Sequence, residues 1–91
     1  MWKVRWTAKA RKAVNNLPLR VQSAVWLLMG DLRLKGPVAG NWPNYGKLGK
    51  NEHHCHLKKG RPTYVAVWWE VKEKERCIEV TYVGTHEKAP Y

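Results

Sequence analysis

The sequence predicts an α+β domain in which two N-terminal helices pack on one face of a small, mainly antiparallel four-stranded sheet, in the order β-α-α-β-β-β. Two observations predict this class. Apolar residues recur with helical spacing between residues 8 and 34, and strand-like runs occupy residues 2–7 and the region from 53 onward. Hairpin-connected strands that follow two helices favour a sheet with one covered face. We expect a site on the other, partly open face.

The first strand and the first helix are predicted at the N-terminus. Apolar and basic residues alternate along the strand: Trp2, Lys3, Val4, Arg5 and Trp6. Thr7 is a suitable N-cap for a helix that runs to about Asn16. The face of this helix that we expect to be buried carries Ala10, Val14 and Leu17. Pro18 separates it from the next helix.

The second helix is predicted from about Leu19 to Leu34. Its buried stripe consists of Val21, Ala24, Val25, Leu28 and Leu32. Residues 36–52 contain several glycines and prolines and have no periodicity, so they are predicted to form a long loop. In this loop, Trp42 and Tyr45 either contact bases or anchor the loop.

Three further strands are predicted in the C-terminal half. The first two cover about 53–57 and 63–70 and are joined around Gly60. The second of them is apolar on both faces, which indicates a central position in the sheet. A charged turn at 72–76 leads to the last strand, at about 77–83.

Length and composition predict one domain, residues 1–91, with a net charge of +10. Such a charge attracts nucleic acid, acidic protein segments or anionic membranes, and the alternative is a merely basic surface. No apolar run approaches the ~20 residues of a membrane span, and no secretory signal is evident. We therefore expect a cytoplasmic protein without a membrane partner, in which Cys55 and Cys77 are buried thiols.

Histidines are the candidate catalytic residues. His54 and His56 share a face of their predicted strand, and His86 joins them if the last strand lies nearby. Imidazoles exchange protons near neutral pH. RNA is cleaved without metal when a base removes the 2′-hydroxyl proton, cations stabilise the charge on phosphorus, and an acid protonates the leaving 5′-oxygen. We interpret His53 as a hydrogen-bonded structural residue.

Basic residues near the histidines are candidate phosphate contacts, although the alternative for each is a solvated surface position. They are Lys47, Lys50, Lys58, Lys59 and Arg61. The histidines and Cys55 also raise the alternative of a metal site. A short run on one strand divides its ligands between two faces, and no second ligand pair has zinc-site spacing. We therefore expect neither a metal nor another cofactor.

Several segments carry a family resemblance: the opening strand and helical hairpin, the strand pair within 57–68, and the run from Ile78 to His86 that ends in Gly84-Thr85-His86. In these segments the chain resembles the RelE/ParE superfamily of toxins from bacterial toxin–antitoxin modules. The closing motif, followed by a tyrosine, is similar to the HigB/RelE-like branch. The resemblance covers nearly the whole chain and implies the RelE-like form of the predicted fold.

The resemblance implies a type II toxin that cleaves mRNA without metal, typically on the ribosome. His54 and His56 fall on two positions that are commonly lysine, and His86 falls on an arginine or histidine position. We expect His86 to act as general acid or base, with His54 and His56 supplying a base or charge. Tyr91 corresponds roughly to a terminal tyrosine that orients or stacks.

One family position differs in this chain. The family often has arginine where Thr63 stands, and Arg61 in the preceding turn is the candidate replacement.

The implied partners are mRNA, the ribosome and a cognate acidic antitoxin. Two alternatives remain open, a ParE-like non-enzymatic gyrase inhibitor and a catalytically degenerate RNA-binding domain, and the histidine set favours the nuclease.

Overall fold

Secondary structure follows the sequence pattern closely in the computed structural model, which describes residues 1–58 and 60–91. Lys59 lies outside the described residues. The elements are, in chain order, β1 (Lys3–Trp6), α1 (Ala8–Val14), α2 (Leu19–Lys35), β2 (Gly46–Lys47), β3 (Glu52–Lys58), β4 (Tyr64–Glu70), β5 (Cys77–Thr85) and a 3₁₀ turn at His86–Lys88.

The helix ends are set by local hydrogen bonds. The Thr7 hydroxyl accepts a hydrogen bond from the backbone N–H of Ala10 at 3.1 Å, as expected of an N-cap. At the C-terminus of α2, the N–H of Gly36 donates to the carbonyl of Leu32. Gly36 has a φ of 93°, and a Cβ there would lie 2.9 Å from the Trp2 indole nitrogen, so glycine alone fits this turn.

The sheet has a strand that the sequence did not predict. Across the described residues its order is β1-β5-β4-β3-β2, so the prediction of four strands is wrong and the sheet has five. It is also mixed, because β1 pairs in parallel with β5 while the other three pairings are antiparallel. The observed order therefore differs from the RelE-like topology that we predicted. Strand β2 is only two residues long, too short to produce an alternating pattern.

Both helices lie on one face of the sheet and form the core with it, as predicted. The buried residues of α2 include Val25, Leu28 and Leu32, which pack in one cluster with Trp68 of β4 and Ile78 of β5. Burial of these side chains removes apolar surface from water and is the main stabilising contribution. Strand β4 is central, which confirms the inference drawn from its two apolar faces.

Within residues 1–58 and 60–91, neither α-helix covers the second face of the sheet, yet the central residues of that face are buried. Val65 and Val67 of β4 are fully buried and lie outside the helix-facing core cluster. Their cross-strand neighbours on β3 are His56 and His54, respectively. The candidate catalytic histidines thus flank a small apolar patch on the helix-free face. No helix in the described residues is long and apolar enough to cross a membrane.

Candidate functional site

Four side chains from two distant segments of the sequence, 54–56 and 86–91, meet on the helix-free face. The ring centroids of His56 and His86 are 5.7 Å apart in an edge-to-face arrangement. Tyr91 lies 5.7 Å from His86 and 4.7 Å from His54, measured between ring centroids. We call His54, His56, His86 and Tyr91 the histidine cluster. The structure brings together all four residues that we predicted to be catalytic.

Strand geometry explains this gathering. His54 and His56 share a face because side chains two residues apart on a strand point the same way. Strand β5 pairs with the other edge of β4, so β4 lies between β3 and β5. The C-terminal end of β5 is level with the end of β3, because Thr85 and Lys58 both pair with Tyr64 of β4. The backbone N–H of His86 donates to the carbonyl of Thr63 at 2.9 Å, and this bond fixes the start of the C-terminal segment beside the cluster.

His54 is a partly buried member of the cluster. A Cβ at Gly46 of β2 would lie only 3.1 Å from its Nε2, so the imidazole sits against bare backbone on one side and Tyr91 on the other. Its Nδ1 is buried and has no hydrogen-bond partner within the described residues. Burial lowers the pKa of His54, and the nearby His56 and His86 lower it further.

His56 is held neutral by the same effects. Burial lowers its pKa, and the charge that His86 would carry adds to the effect. His86 itself is exposed at the start of the 3₁₀ turn. The cluster therefore pairs imidazoles that favour the unprotonated form with one that lies open to solvent. This arrangement can accept a proton at one ring and present another ring to a bound ligand.

The C-terminal segment folds back over the sheet. After the 3₁₀ turn, the N–H of Ala89 donates to the His86 carbonyl at 3.1 Å, and the chain continues to Tyr91. The Tyr91 side chain is 46% exposed, so one side of its ring remains available while the other contacts the histidines. Burial raises the pKa of Tyr91, and its hydroxyl is therefore protonated at neutral pH.

Two clefts flank the C-terminal segment that carries His86 and Tyr91. The larger, about 640 Å³, has walls from the β3–β4 connection and from the end of β5: Arg61, Pro62, Thr63, Thr85, His86 and Glu87. The smaller, about 350 Å³, is lined by Lys9, Glu52, Thr81, Tyr82, Lys88 and Pro90. His86 belongs to both the cluster and the larger cleft, so a ligand in that cleft lies next to the imidazoles.

The predicted phosphate contacts are divided between the two sides of the sheet. Arg61 lines the larger cleft, and Lys58 is exposed at the end of β3. Lys47 is the cross-strand partner of His53, and the two side chains share one face of the sheet. The ring of His53 faces the helices, so the structure does not bring Lys47 to the histidine cluster. Lys50 is exposed between β2 and β3.

Lys59 is outside the described residues. The phosphate-binding roles of all these side chains stay predictions.

The aromatic residues of the long loop anchor it. The hydroxyl of Tyr45 is 2.7 Å from Nδ1 of His53, whose ring stacks on Trp68 with centroids 5.9 Å apart. Trp42 donates from its indole N–H to Asp31 at 2.8 Å. Burial lowers the pKa of His53, with a smaller effect from Lys47, so it is a neutral core residue. This agrees with the structural interpretation of His53 made from the sequence.

Metal ligation is not supported by the arrangement. Within residues 1–58 and 60–91, no group of three or more histidine, cysteine or carboxylate side chains is arranged to hold a metal ion. Cys55 and Cys77 are both buried free thiols. Burial raises the pKa of Cys55 to about 12, which makes it a poor nucleophile and a poor ligand. Acid–base chemistry is what the cluster's own side chains can provide.

Sequence reasoning missed four residues around the site. Gly46 faces His54 from the unpredicted strand, and Glu87 lines the larger cleft. Lys9 of α1 and Lys88 of the 3₁₀ turn meet at the smaller cleft although they are far apart in the sequence. Only Glu87 carried a usable signal, since it directly follows His86.

No protein-family model, curated protein or solved structure matched this chain.

Proposed function

We propose that the protein is a metal-independent endoribonuclease that cleaves mRNA on the ribosome, as the toxin of a type II toxin–antitoxin module. The observation that carries the proposal is the meeting of three imidazoles and a tyrosine beside a cleft that contains Arg61. The net charge of +10 supports a polyanionic substrate. Such a substrate and the two buried free thiols favour the cytoplasm as its location.

The proposed reaction uses the substrate's own nucleophile. A base takes the proton of the RNA 2′-hydroxyl, and the 2′-oxygen forms a bond to phosphorus. The bond from phosphorus to the 5′-oxygen breaks, and an acid donates a proton to that oxygen. The products are a 2′,3′-cyclic phosphate and a 5′-hydroxyl. Arg61, which lines the larger cleft, supplies positive charge for the pentacoordinate phosphorus.

The surroundings of the histidines suggest different roles. His56 has a lowered pKa and is unprotonated at neutral pH, as a base must be. His86 is exposed and lines the larger cleft, where it reaches a leaving group. Protonation of His54 would leave an N–H at its buried Nδ1 without a partner, which carries a desolvation cost. We assign His56 as base, His86 as acid and His54 as a neutral neighbour that orients the substrate.

The proposal also includes an acidic protein partner. Four apolar side chains on one face of α2 are each more than half exposed: Leu19, Trp26, Leu27 and Leu34. At 3.6 residues per turn they lie in one sector of the helix surface, the α2 stripe, which Ser23 and Gly30 interrupt along the helix axis. Arg20 lies at one edge of this sector and Arg33 at the other. A second copy of this basic chain would place like charges together. An acidic amphipathic segment of a cognate antitoxin fits the stripe and its borders.

The activity is tested with purified protein and a defined mRNA, with and without ribosomes and in the presence of EDTA. We expect cleavage that persists in EDTA and leaves 2′,3′-cyclic phosphate ends. Loss of cleavage in EDTA that zinc restores would contradict the proposed mechanism. Inhibition of gyrase supercoiling without any RNA cleavage would instead support the ParE-like alternative. Binding of RNA without cleavage would support a degenerate domain.

The partner is tested with any acidic protein whose gene proves to adjoin the gene of this chain. Expression of the chain alone should arrest growth, and co-expression of the partner should restore it. Leu27→Asp places a charge in the α2 stripe, so we expect it to weaken the complex while RNA cleavage is unchanged. A complex that tolerates Leu27→Asp would exclude the stripe as the docking surface.

A further inference from the structure

The larger cleft contains a carboxylate that the proposed cleavage chemistry does not use. Glu87 lines the cleft together with Arg61 and His86. In the described residues the observed ion pair joins Arg5 to Glu79, and none involves Glu87. A carboxylate repels the phosphates of a polyanionic ligand but accepts hydrogen bonds from N–H donors, so at this place it favours a base with donors beside the phosphate.

The cleft is preformed. Its two walls are joined by the hydrogen bond from the N–H of His86 to the carbonyl of Thr63, at 2.9 Å. Thr85 and Tyr64 are paired in the antiparallel ladder directly beside it. The volume of the cleft is about 640 Å³, and it is open to solvent, since Arg61, His86 and Glu87 are all exposed. A nucleobase can therefore enter without separation of the walls.

The chemistry of a carboxylate selects among the four RNA bases. Guanine presents two adjacent N–H donors, N1–H and N2–H, on its Watson–Crick edge, and two carboxylate oxygens can accept both. Adenine and cytosine each place a ring-nitrogen acceptor beside their amino donor, and uracil has one N–H between two carbonyls. Each of these three bases would place a lone pair against the negative oxygens. Unpaired bases in RNA are commonly recognised on this edge.

We propose that the larger cleft binds the guanine base of a nucleotide adjacent to the cleaved phosphate, with the Glu87 carboxylate accepting hydrogen bonds from N1–H and N2–H. Arg61 binds the phosphate, and His86 lies between base and phosphate at the edge of the cluster. This inference rests on the proposed ribonuclease function. Glu87 is then the residue that determines specificity, and the cleavage chemistry itself does not require it.

Binding is measured first, because it does not depend on cleavage. Titration of the protein with 3′-GMP, 3′-IMP and 3′-AMP, followed by NMR shifts of the histidine rings, should give at least about tenfold tighter binding of 3′-GMP than of 3′-AMP. Inosine lacks the N2 amino group and should bind with intermediate affinity. Glu87→Gln should abolish the preference, whereas Glu75→Gln, at an exposed acid in the β4–β5 turn, should preserve it.

Cleavage of RNAs that differ in one base is the second measurement. We expect faster cleavage next to guanine, with the difference lost in Glu87→Gln. Equal binding of 3′-GMP and 3′-AMP, or a guanine preference that survives Glu87→Gln, would overturn the inference. If guanine binds through Glu87 and no RNA is cleaved under any condition, the subsite stands and the proposed nuclease function fails.

Discussion

The imidazole rings of His56 and His86 meet edge to face, with their centroids 5.7 Å apart. One ring projects from the interior of a β-strand and the other from the turn that follows the last strand. The ring of His56 is partly buried and that of His86 is exposed. Two neighbouring imidazoles in different surroundings can divide the roles of base and acid between them.

His86→Ala should lower RNA cleavage by roughly 100- to 10,000-fold, the usual contribution of a general acid or base. The melting temperature should change little, because His86 is exposed and follows the last strand. The measurement is single-turnover cleavage of a labelled mRNA, with thermal unfolding followed in parallel. A folded His86→Ala protein that cleaves at the original rate would remove His86 from the mechanism.

The matched control for His86→Ala is His53→Asn, at the histidine that faces the helices. This change removes the stacking on Trp68 and alters the hydrogen bond to Tyr45, so the free energy of unfolding should fall by roughly 1–3 kcal/mol. Cleavage per folded molecule should be retained.

Removal of Ala89, Pro90 and Tyr91 should reduce cleavage at least about tenfold, which corresponds to ~1.4 kcal/mol of transition-state stabilisation. The physical reason is the contact of the Tyr91 ring with His54 and His86, which positions both imidazoles. Tyr91→Phe keeps the ring and removes the hydroxyl, so retained cleavage would assign the role to the ring. Full activity of the truncated chain would show that Tyr91 has no part in the site.

Gly46→Ala should reduce cleavage by about three- to tenfold, because small misplacements of a group that orients the substrate are costly. The new Cβ would lie 3.1 Å from Nε2 of His54 and would displace that ring. Gly49→Ala is the matched control, since nothing lies within 4 Å of a Cβ at Gly49. Cleavage rates and unfolding midpoints are compared for both variants. Equal effects of the two changes on cleavage would argue against His54 as a positioning residue.

Acidification below the ordinary histidine pKa of about 6.5 should destabilise the protein. The pKa values of His53, His54 and His56 are lowered in the folded state, chiefly by burial. The unfolded chain therefore binds more protons than the folded chain as the pH falls through that value. This contribution to stability is complete above about pH 6.5 and is lost as the pH falls toward the folded-state values.

Urea unfolding midpoints at pH 7.5, 6.5 and 5.5 measure this loss. The midpoint should fall with pH, and the fall should be shallower in His53→Asn, which removes one of the three groups. A midpoint that stays constant or rises on acidification would contradict the lowered pKa values.

Cys55 should not react with a thiol reagent in the native protein at pH 8. Its side chain is fully buried, and burial raises its pKa to about 12, so the thiolate is scarce and inaccessible. Cys77 is also buried, and both thiols should react after unfolding in urea. The measurement is the absorbance released by Ellman's reagent with and without denaturant. Rapid labelling of Cys55 in the native state would show that β3 opens locally.

Elements with a long periodic pattern were determined by the sequence itself. The buried apolar residues from Val21 to Leu32 recur with helical spacing and predicted α2. The two apolar faces of residues 64–70 predicted a central strand. Both predictions succeed because helix and strand periods are local properties of the chain. The shared face of His54 and His56 followed from the same alternation. The sequence also predicted that His86 follows the last strand, which the structure confirms.

Tertiary structure decided everything that depends on pairing between distant segments. The two-residue β2 exists only because β3 offers it a hydrogen-bonding edge, so no pattern in residues 36–52 predicts it. The same pairing places Gly46 against His54, and it places Lys47 on the face of the sheet that the helices cover. The pairing register of β3, β4 and β5 brings His86 beside His56. The C-terminal segment folds back over the sheet, so the ring of Tyr91 contacts that of His54. Such contacts arise from packing over long sequence separations, on which local propensity carries no information.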